Sequence, residues 1–148
     1  MADKSFSNEL QRVLARPDID QLRGHLATYH NHTGTDWPDD VAEDMNFVMA
    51  AHWDDPERGF AYVILAMAEY DDPNFLGLIS AGLLEDLLQS PTPELLERIS
   101  AEARKTERFR WMLGIPYRHA ISDRVWASFG KYVIDDRRGK PLPPRPFA

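Results

Sequence analysis

Cysteine is absent from the chain. That excludes disulfides, thiolate metal sites and thiol chemistry together. It fits a reducing compartment, so the expectation is a cytoplasmic protein. No apolar run approaches the roughly 20 residues that a membrane-spanning helix needs, and the opening MADKSFSNEL carries no apolar signal segment. Glycine-rich phosphate loops, HExxH, GxSxG and dinucleotide fingerprints are missing, so no motif specifies a reaction. Strand patterning is nearly missing too, residues 132–134 being the one β-like run. Basic residues are scarce in the middle of the chain. Residues 24–97 hold 15 acidic groups and a single basic one, Arg58. Residues 1–23 are balanced, with 4 of each sign, and residues 98–148 hold 12 basic and 5 acidic groups. The nets are 0, −14 and +7, which sum to the overall −7. Either the fold brings the two charged parts together, or it leaves an acidic face that steers a basic partner.

What the chain has in quantity is helix punctuation. Asp55-Pro56, Asp72-Pro73 and Thr92-Pro93 are three Pro-led helix starts in succession. At each, a side-chain oxygen can accept from the open first turn, and Pro gives up an N–H that would have no partner. The spacing predicts the longest helix over residues 73–88, with Leu76, Ile79, Leu83 and Leu87 on one face and Leu84 and Leu88 widening it. Gly77, Ala81 and Gly82 are expected to let neighbouring helices come close. Before it, helical spacing is found in residues 5–15, then after Asp18, then after Asp36, where Val41, Met45, Val48, Met49 and His52 form a buried stripe closed by Trp53. Leu95, Leu96, Ile99 and Ala103 pack a later helix, Phe109, Trp111, Met112 and Leu113 a short one. Ser122 or Asp123 caps a last one with Val125, Trp126 and Phe129. The reading is an all-α fold of about seven to eight short antiparallel helices, packed as a compact hairpin stack, a short solenoid-like bundle, around a central helix 73–88. Residues 1–134 form a single helical domain. Residues 135–148 form a Pro/Arg-rich C-terminal tail, in which four prolines in six residues exclude helix.

Several groups of residues could carry chemistry. His25, His30 and His32, with Asp36 behind them, could hold a divalent metal, but their spacing suits neither one helix face nor a compact motif. His52 with Asp54 and Asp55 could make an oriented base, though Asp55 is needed as a cap. Glu85 and Asp86 are adjacent, so on a helix they diverge by about 100° and cannot share a proton; an arginine such as Arg108 or Arg110 is the expected partner. Leu84-x-x-Leu87-Leu88 matches a groove-docking pattern that any Leu-rich core helix also produces. Arg98, Arg104, Lys105, Arg108 and Arg110 form a basic band. The acidity of the whole argues for an intramolecular counterpart rather than nucleic acid. The sequence implies no cofactor, no metal and no membrane.

Four segments carry a family resemblance: His52-Trp53, the central Ala81-Gly82-Leu83-Leu84-Glu85-Asp86-Leu87-Leu88, Phe109-Arg110-Trp111-Met112-Leu113, and Val125-Trp126. With these, residues 37–126 resemble a family of small, uncharacterised bacterial helical proteins. The family pattern favours Pro where this chain has Leu83, which implies a less interrupted helix here. The resemblance implies an all-helical domain and draws notice to Glu85 and Asp86, without an activity. The functional expectation is a non-enzymatic protein-binding domain with an acidic face for a basic partner, in an immunity-like or adaptor role. Its candidate contact residues are Asp39, Asp40, Glu43, Asp44, Glu85 and Asp86. The alternatives are a small metal-assisted or acid–base enzyme using His52, Asp54, Glu85 or Asp86, and a structural homodimer whose apolar face draws on Trp37, Trp53, Trp111 and Trp126.

Overall fold

Capping sets the helix boundaries. In the computed structural model, which describes residues 8–32, 38–134 and 141–146, Asp55 accepts the Arg58 N–H at 3.2 Å, Asp72 the Asn74 N–H at 2.9 Å, Thr92 the Leu95 N–H at 3.2 Å and Ser122 the Val125 N–H at 3.3 Å. Each bond satisfies a donor that the first helical turn leaves open. Asp18 departs from this pattern. It precedes its helix but makes no capping bond, because its carboxylate takes the Arg16 guanidinium at 2.8 Å instead. The expected cap Asp36 lies outside the described residues, as does Trp37.

Nine helices and no strand occur among the described residues, as the helical periodicity predicts. They are α1 (Asn8–Leu14), α2 (Ile19–Asn31), α3 (Asp39–Met49), α4 (Ala51–Asp54), α5 (Pro56–Glu69), the composite α6, α7 (Pro93–Lys105), α8 (Glu107–Leu113) and α9 (Asp123–Phe129). Helix α6 runs as α-helix over Pro73–Ile79, widens into a π-helical turn at Ser80–Leu84 and closes with Glu85–Leu87. Short 3₁₀ turns follow at Arg118–Ala120 and Gly130–Tyr132. No helix among the described residues is long and apolar enough to cross a membrane.

The apolar face of α6 is buried as its spacing predicts. Leu76, Ile79, Leu83, Leu84, Leu87 and Leu88 are all in the core, so the LxxLL-like run serves packing. The helix that has lost every solvent-facing side is α5, however, where ten consecutive residues, 59–68, are buried. Helices α1, α2, α4 and α6 all pack on it. The sequence pointed to the longer Leu-rich run; the alanines of α5, Ala61, Ala66 and Ala68, mark the more enclosed position because small side chains allow cover on all sides. Gly59 belongs to the same set. A Cβ there would stand 3.3 Å from both the His52 amide nitrogen and Leu87 Cδ2, so its bare backbone is what lets α4 lie tightly against α5.

Gly77 and Gly82 do not act this way. A Cβ at either would meet nothing within 4 Å, and Ala81 is exposed. The expectation of close helix approach at these three residues is therefore corrected. Their effect is on the helix itself, which is interrupted here despite Leu83 standing in place of Pro. Ser80 is fully buried, and its hydroxyl donates to the Leu76 carbonyl at 2.7 Å. Such a back-bond competes with the i→i−4 ladder. With the weak helix former Gly82 two residues on, the ladder slips into the wider turn.

After α9 the chain returns as an extended segment over residues 141–146. Arg108, 3% exposed, holds it. The guanidinium donates to Pro143 O at 2.8 Å, Met67 O at 3.0 Å, Tyr70 O at 2.7 Å and Asp71 Oδ1 at 3.1 Å. Arg145 adds a second grip on Asp71 at 2.8 Å. This part of the tail is docked on the domain.

Candidate functional site

The acidic middle of the chain is only partly neutralised. Arginines from outside it take Glu69 (Arg23, 2.8 Å), Glu57 (Arg98, 2.6 Å) and Asp71 (Arg108, 3.1 Å; Arg145, 2.8 Å). Among the described residues no Lys or Arg pairs with Asp39, Asp40, Glu43, Glu85 or Asp86. Three of the five residues of the basic band are spent inside the molecule, and Arg104 and Lys105 are exposed. Arg98 bridges Glu9 and Glu57, Arg108 holds the returning segment, and Arg110 donates to the carbonyls of Ala103 and Arg104. The expected arginine partner for Glu85 and Asp86 is thereby corrected, since both candidates are committed elsewhere.

Glu85 and Asp86 diverge, as adjacent helix positions must. Glu85 Oε1 accepts the Tyr117 backbone N–H at 2.6 Å and so ties α6 to the loop after α8. Asp86 faces α4, with Oδ2 3.7 Å from His52 Nδ1. That nitrogen lies 3.0 Å from the Met49 carbonyl. A carbonyl can only accept, so Nδ1 carries the proton, and in the neutral ring Nε2 is left as an acceptor. The backbone, not a carboxylate, orients His52. Asp54 is exposed on the other side, where it shares a shallow depression with Glu43, Asn46 and Phe47. The four groups of the acid–base alternative thus do not converge on one point.

Between α4, α6 and the turn leading to α7 lies an open cleft of about 360 Å³, lined among others by His52, Trp53, Asp86, Ser90 and Leu95. A smaller hollow of about 80 Å³, lined by Met49, Ile79, Gly82 and Leu83, adjoins it through Asp86, which lines both. Here the expected buried stripe of α3 is corrected. Met45 and Val48 are buried and Val41 half-buried, but Met49 is 42% and Trp53 83% exposed. The helix breaks at Ala50, and α4 then packs through its backbone on Gly59, which turns the Trp53 indole outward.

Four large hydrophobic side chains are exposed among the described residues: Met49, Trp53, Leu78 and Tyr117. Three of them stand by α6: Leu78 is on it, Met49 faces Gly82 across the small hollow, and Trp53 shares the cleft with Asp86. Tyr117 reaches Glu85 only through its backbone N–H. Trp111 is buried and Trp126 half-buried, so they contribute nothing to this face. Sequence spacing placed Met49 and Trp53 with the core stripe because both keep its helical register, and only the homodimer alternative put Trp53 on an outer face. The break at Ala50 that turns them out belongs to the fold and carries no breaker residue in the sequence.

The acidic residues of α3 split. Asp39, Asp40 and Glu43 are exposed. Asp44 is turned toward α2, where it takes the Thr28 hydroxyl at 3.3 Å and lies 4.0 Å from His25 Nε2. The three N-terminal histidines go to separate partners. His25 bonds the Tyr62 hydroxyl at 2.6 Å and stacks on Phe47 at 4.8 Å, His30 meets Asp72 at 3.2 Å, and His32 donates to Thr28 O at 2.8 Å. Burial pushes the His25 pKa down against the opposing pull of Asp44, and burial pushes the Tyr62 pKa up to about 12.

The chain belongs to a family of unknown function, DUF6869, whose model matches residues 30–135. The whole of the apolar and acidic face around α6 falls within that match. No curated protein and no solved structure matches the chain.

Proposed function

We propose that the protein is a non-enzymatic binding domain whose outer α6 face docks a basic protein partner. Membership of a family without an assigned activity brings no reaction with it, so the reading rests on the face itself. One observation carries it: the exposed side chains of Met49 and Trp53 line two adjoining hollows beside α6 that share the carboxylate of Asp86, which no Lys or Arg of the described chain neutralises. Scattered surface hydrophobics are ordinary; a cluster with a polar rim marks an interaction site. Covering Trp53 alone would remove on the order of 150 Å² from water, worth roughly 3–4 kcal/mol. Tryptophan in that position is also the residue type that most often dominates an interface. Asp39, Asp40 and Glu43 add long-range attraction, which raises the association rate and weakens with salt. The absence of cysteine agrees with a role in the cytoplasm.

The test is affinity capture from the native host at low salt, eluted with rising salt, using the wild type beside Leu78→Arg and Trp53→Ser. The expected result is one stoichiometric basic protein, released as salt rises and missing from both variants. Retention by both variants, or elution that ignores ionic strength, would remove the reading. A second copy of the chain as the captured species, checked by light scattering, would replace it with the homodimer.

A further inference from the structure

We infer that the His52–Asp86 cleft receives an arginine side chain of the partner, an inference that rests on the docking reading above. The cleft has a carboxylate, Asp86, without a Lys or Arg among the described residues, on a side chain that is 38% exposed. Its neighbour His52 gives its Nδ1–H to Met49 O, so the neutral ring has only an acceptor left to offer. Beside them stands the Trp53 indole, 83% exposed, with a face open to stacking. Acceptors together with a flat π surface match a guanidinium, which has five donors, no acceptor, a permanent charge and a planar shape that stacks on indole. An anionic group would be repelled by Asp86. An apolar group would strip water from that carboxylate and return no hydrogen bond. An ammonium satisfies the charge but not the plane.

The cleft is open, and Asp86 lines both it and the hollow between Met49 and Gly82. A chain laid across the face can place an arginine in the first and an apolar residue in the second. This adjacency favours an arginine carried by the partner over a free guanidinium compound.

The probe is a blocked pentapeptide, Gly-Leu-Arg-Leu-Gly, compared with its citrulline analogue, its lysine analogue and free agmatine. Binding is followed by the indole N–H signals in two-dimensional NMR, with Trp53→Phe used to assign Trp53. The arginine peptide should shift the Trp53 signal, and citrulline, equal in shape but uncharged, should bind about tenfold more weakly. Asp86→Asn should weaken the arginine peptide by about tenfold, while Asp20→Asn, an exposed carboxylate on α2 outside the cleft, leaves it unchanged. Equal binding of citrulline or lysine, or no effect of Asp86→Asn in a variant of unchanged Tm, overturns the inference. Agmatine binding as tightly as the peptide overturns the assignment to a partner and makes the cleft a small-molecule site. Partner capture lost in Leu78→Arg but untouched by Asp86→Asn keeps the docking face and removes the arginine from it. Arginine binding without any partner capture does the reverse.

Discussion

Replacing Arg98 by methionine tests how the basic C-terminal half stabilises the fold. The Arg98 guanidinium donates to Glu9 at 2.7 and 2.8 Å and to Glu57 at 2.6 and 2.7 Å, and it lies 5.7 Å from the Phe60 ring. The two carboxylates differ in what they lose. The Glu9 side chain is 7% exposed and the Glu57 side chain 57%. Stranding a buried charge costs about 3–5 kcal/mol. Arg12 remains 3.8 Å from Glu9, which places the cost near the lower end, about 3 kcal/mol. The Glu57 arm is a surface pair and adds up to about 1 kcal/mol. Methionine keeps most of the packing over Phe60. The sum is about 3–4 kcal/mol, a fall in Tm of roughly 10 °C for a chain of this size. Urea unfolding and a thermal scan measure it. The double variant Glu9→Leu/Arg98→Met removes the stranded charge as well, and it should return to within about 1 kcal/mol of the wild type. A single variant that loses under about 1 kcal/mol, or a double variant no better than the single, would refute the reasoning that a nearly dry Glu9 depends on Arg98.

Other outcomes follow from particular residues. Gly77→Ala and Gly82→Ala place a methyl in open space on a helix, so each should raise stability by about 0.5–1 kcal/mol, read as an increase in the urea midpoint. Gly59→Val forces side-chain atoms against the His52 backbone and Leu87; it should cost about 1–3 kcal/mol and shift the NMR signals of α4. His25 gives a pH dependence. Its folded pKa lies below the usual 6.5 because of burial, so the unfolded chain takes up the proton first. The stability it contributes is complete above 6.5 and is lost as pH falls from there toward its folded pKa. The urea midpoint should therefore drop between pH 7 and pH 5, and His25→Gln should flatten that drop.

Helix content and most boundaries were legible because they rest on local chemistry. Asp55, Asp72, Thr92 and Ser122 cap where their sequence contexts predict, and the Leu positions of α6 are buried where their spacing predicts. What was not legible depends on contacts between residues far apart in the chain. Asp18 binds Arg16 and leaves its helix uncapped. Arg108 is used by the returning segment at Pro143, not by the acids of α6. The enclosure of α5 follows from four helices packing on it, which its own alanine-rich sequence permits but does not specify. The candidate site was legible in its charges and not in its apolar part. Glu85 and Asp86 diverge as adjacent residues must, and Asp39, Asp40 and Glu43 lie in solvent. Met49 and Trp53 keep the period of a buried stripe, and only the break at Ala50 with the tight crossing at Gly59 turns them out. Ser80 and Gly82 carried a signal for an irregular turn in α6, but both also fit a packing role, and the back-bond to Leu76 decides between the two.

The proposed docking site for a basic partner is the outer face of α6. Site-specific photo-cross-linking in the native cell tests it most directly, with a benzophenone side chain placed at Leu78 or at exposed Lys105. Lys105 stands about 15 Å along α7 from Leu95 at the cleft. A single adduct with a basic protein is expected from Leu78, reduced when the Glu85 and Asp86 charges are removed together, and none from Lys105. No adduct from Leu78, or the same products from both positions, would contradict it.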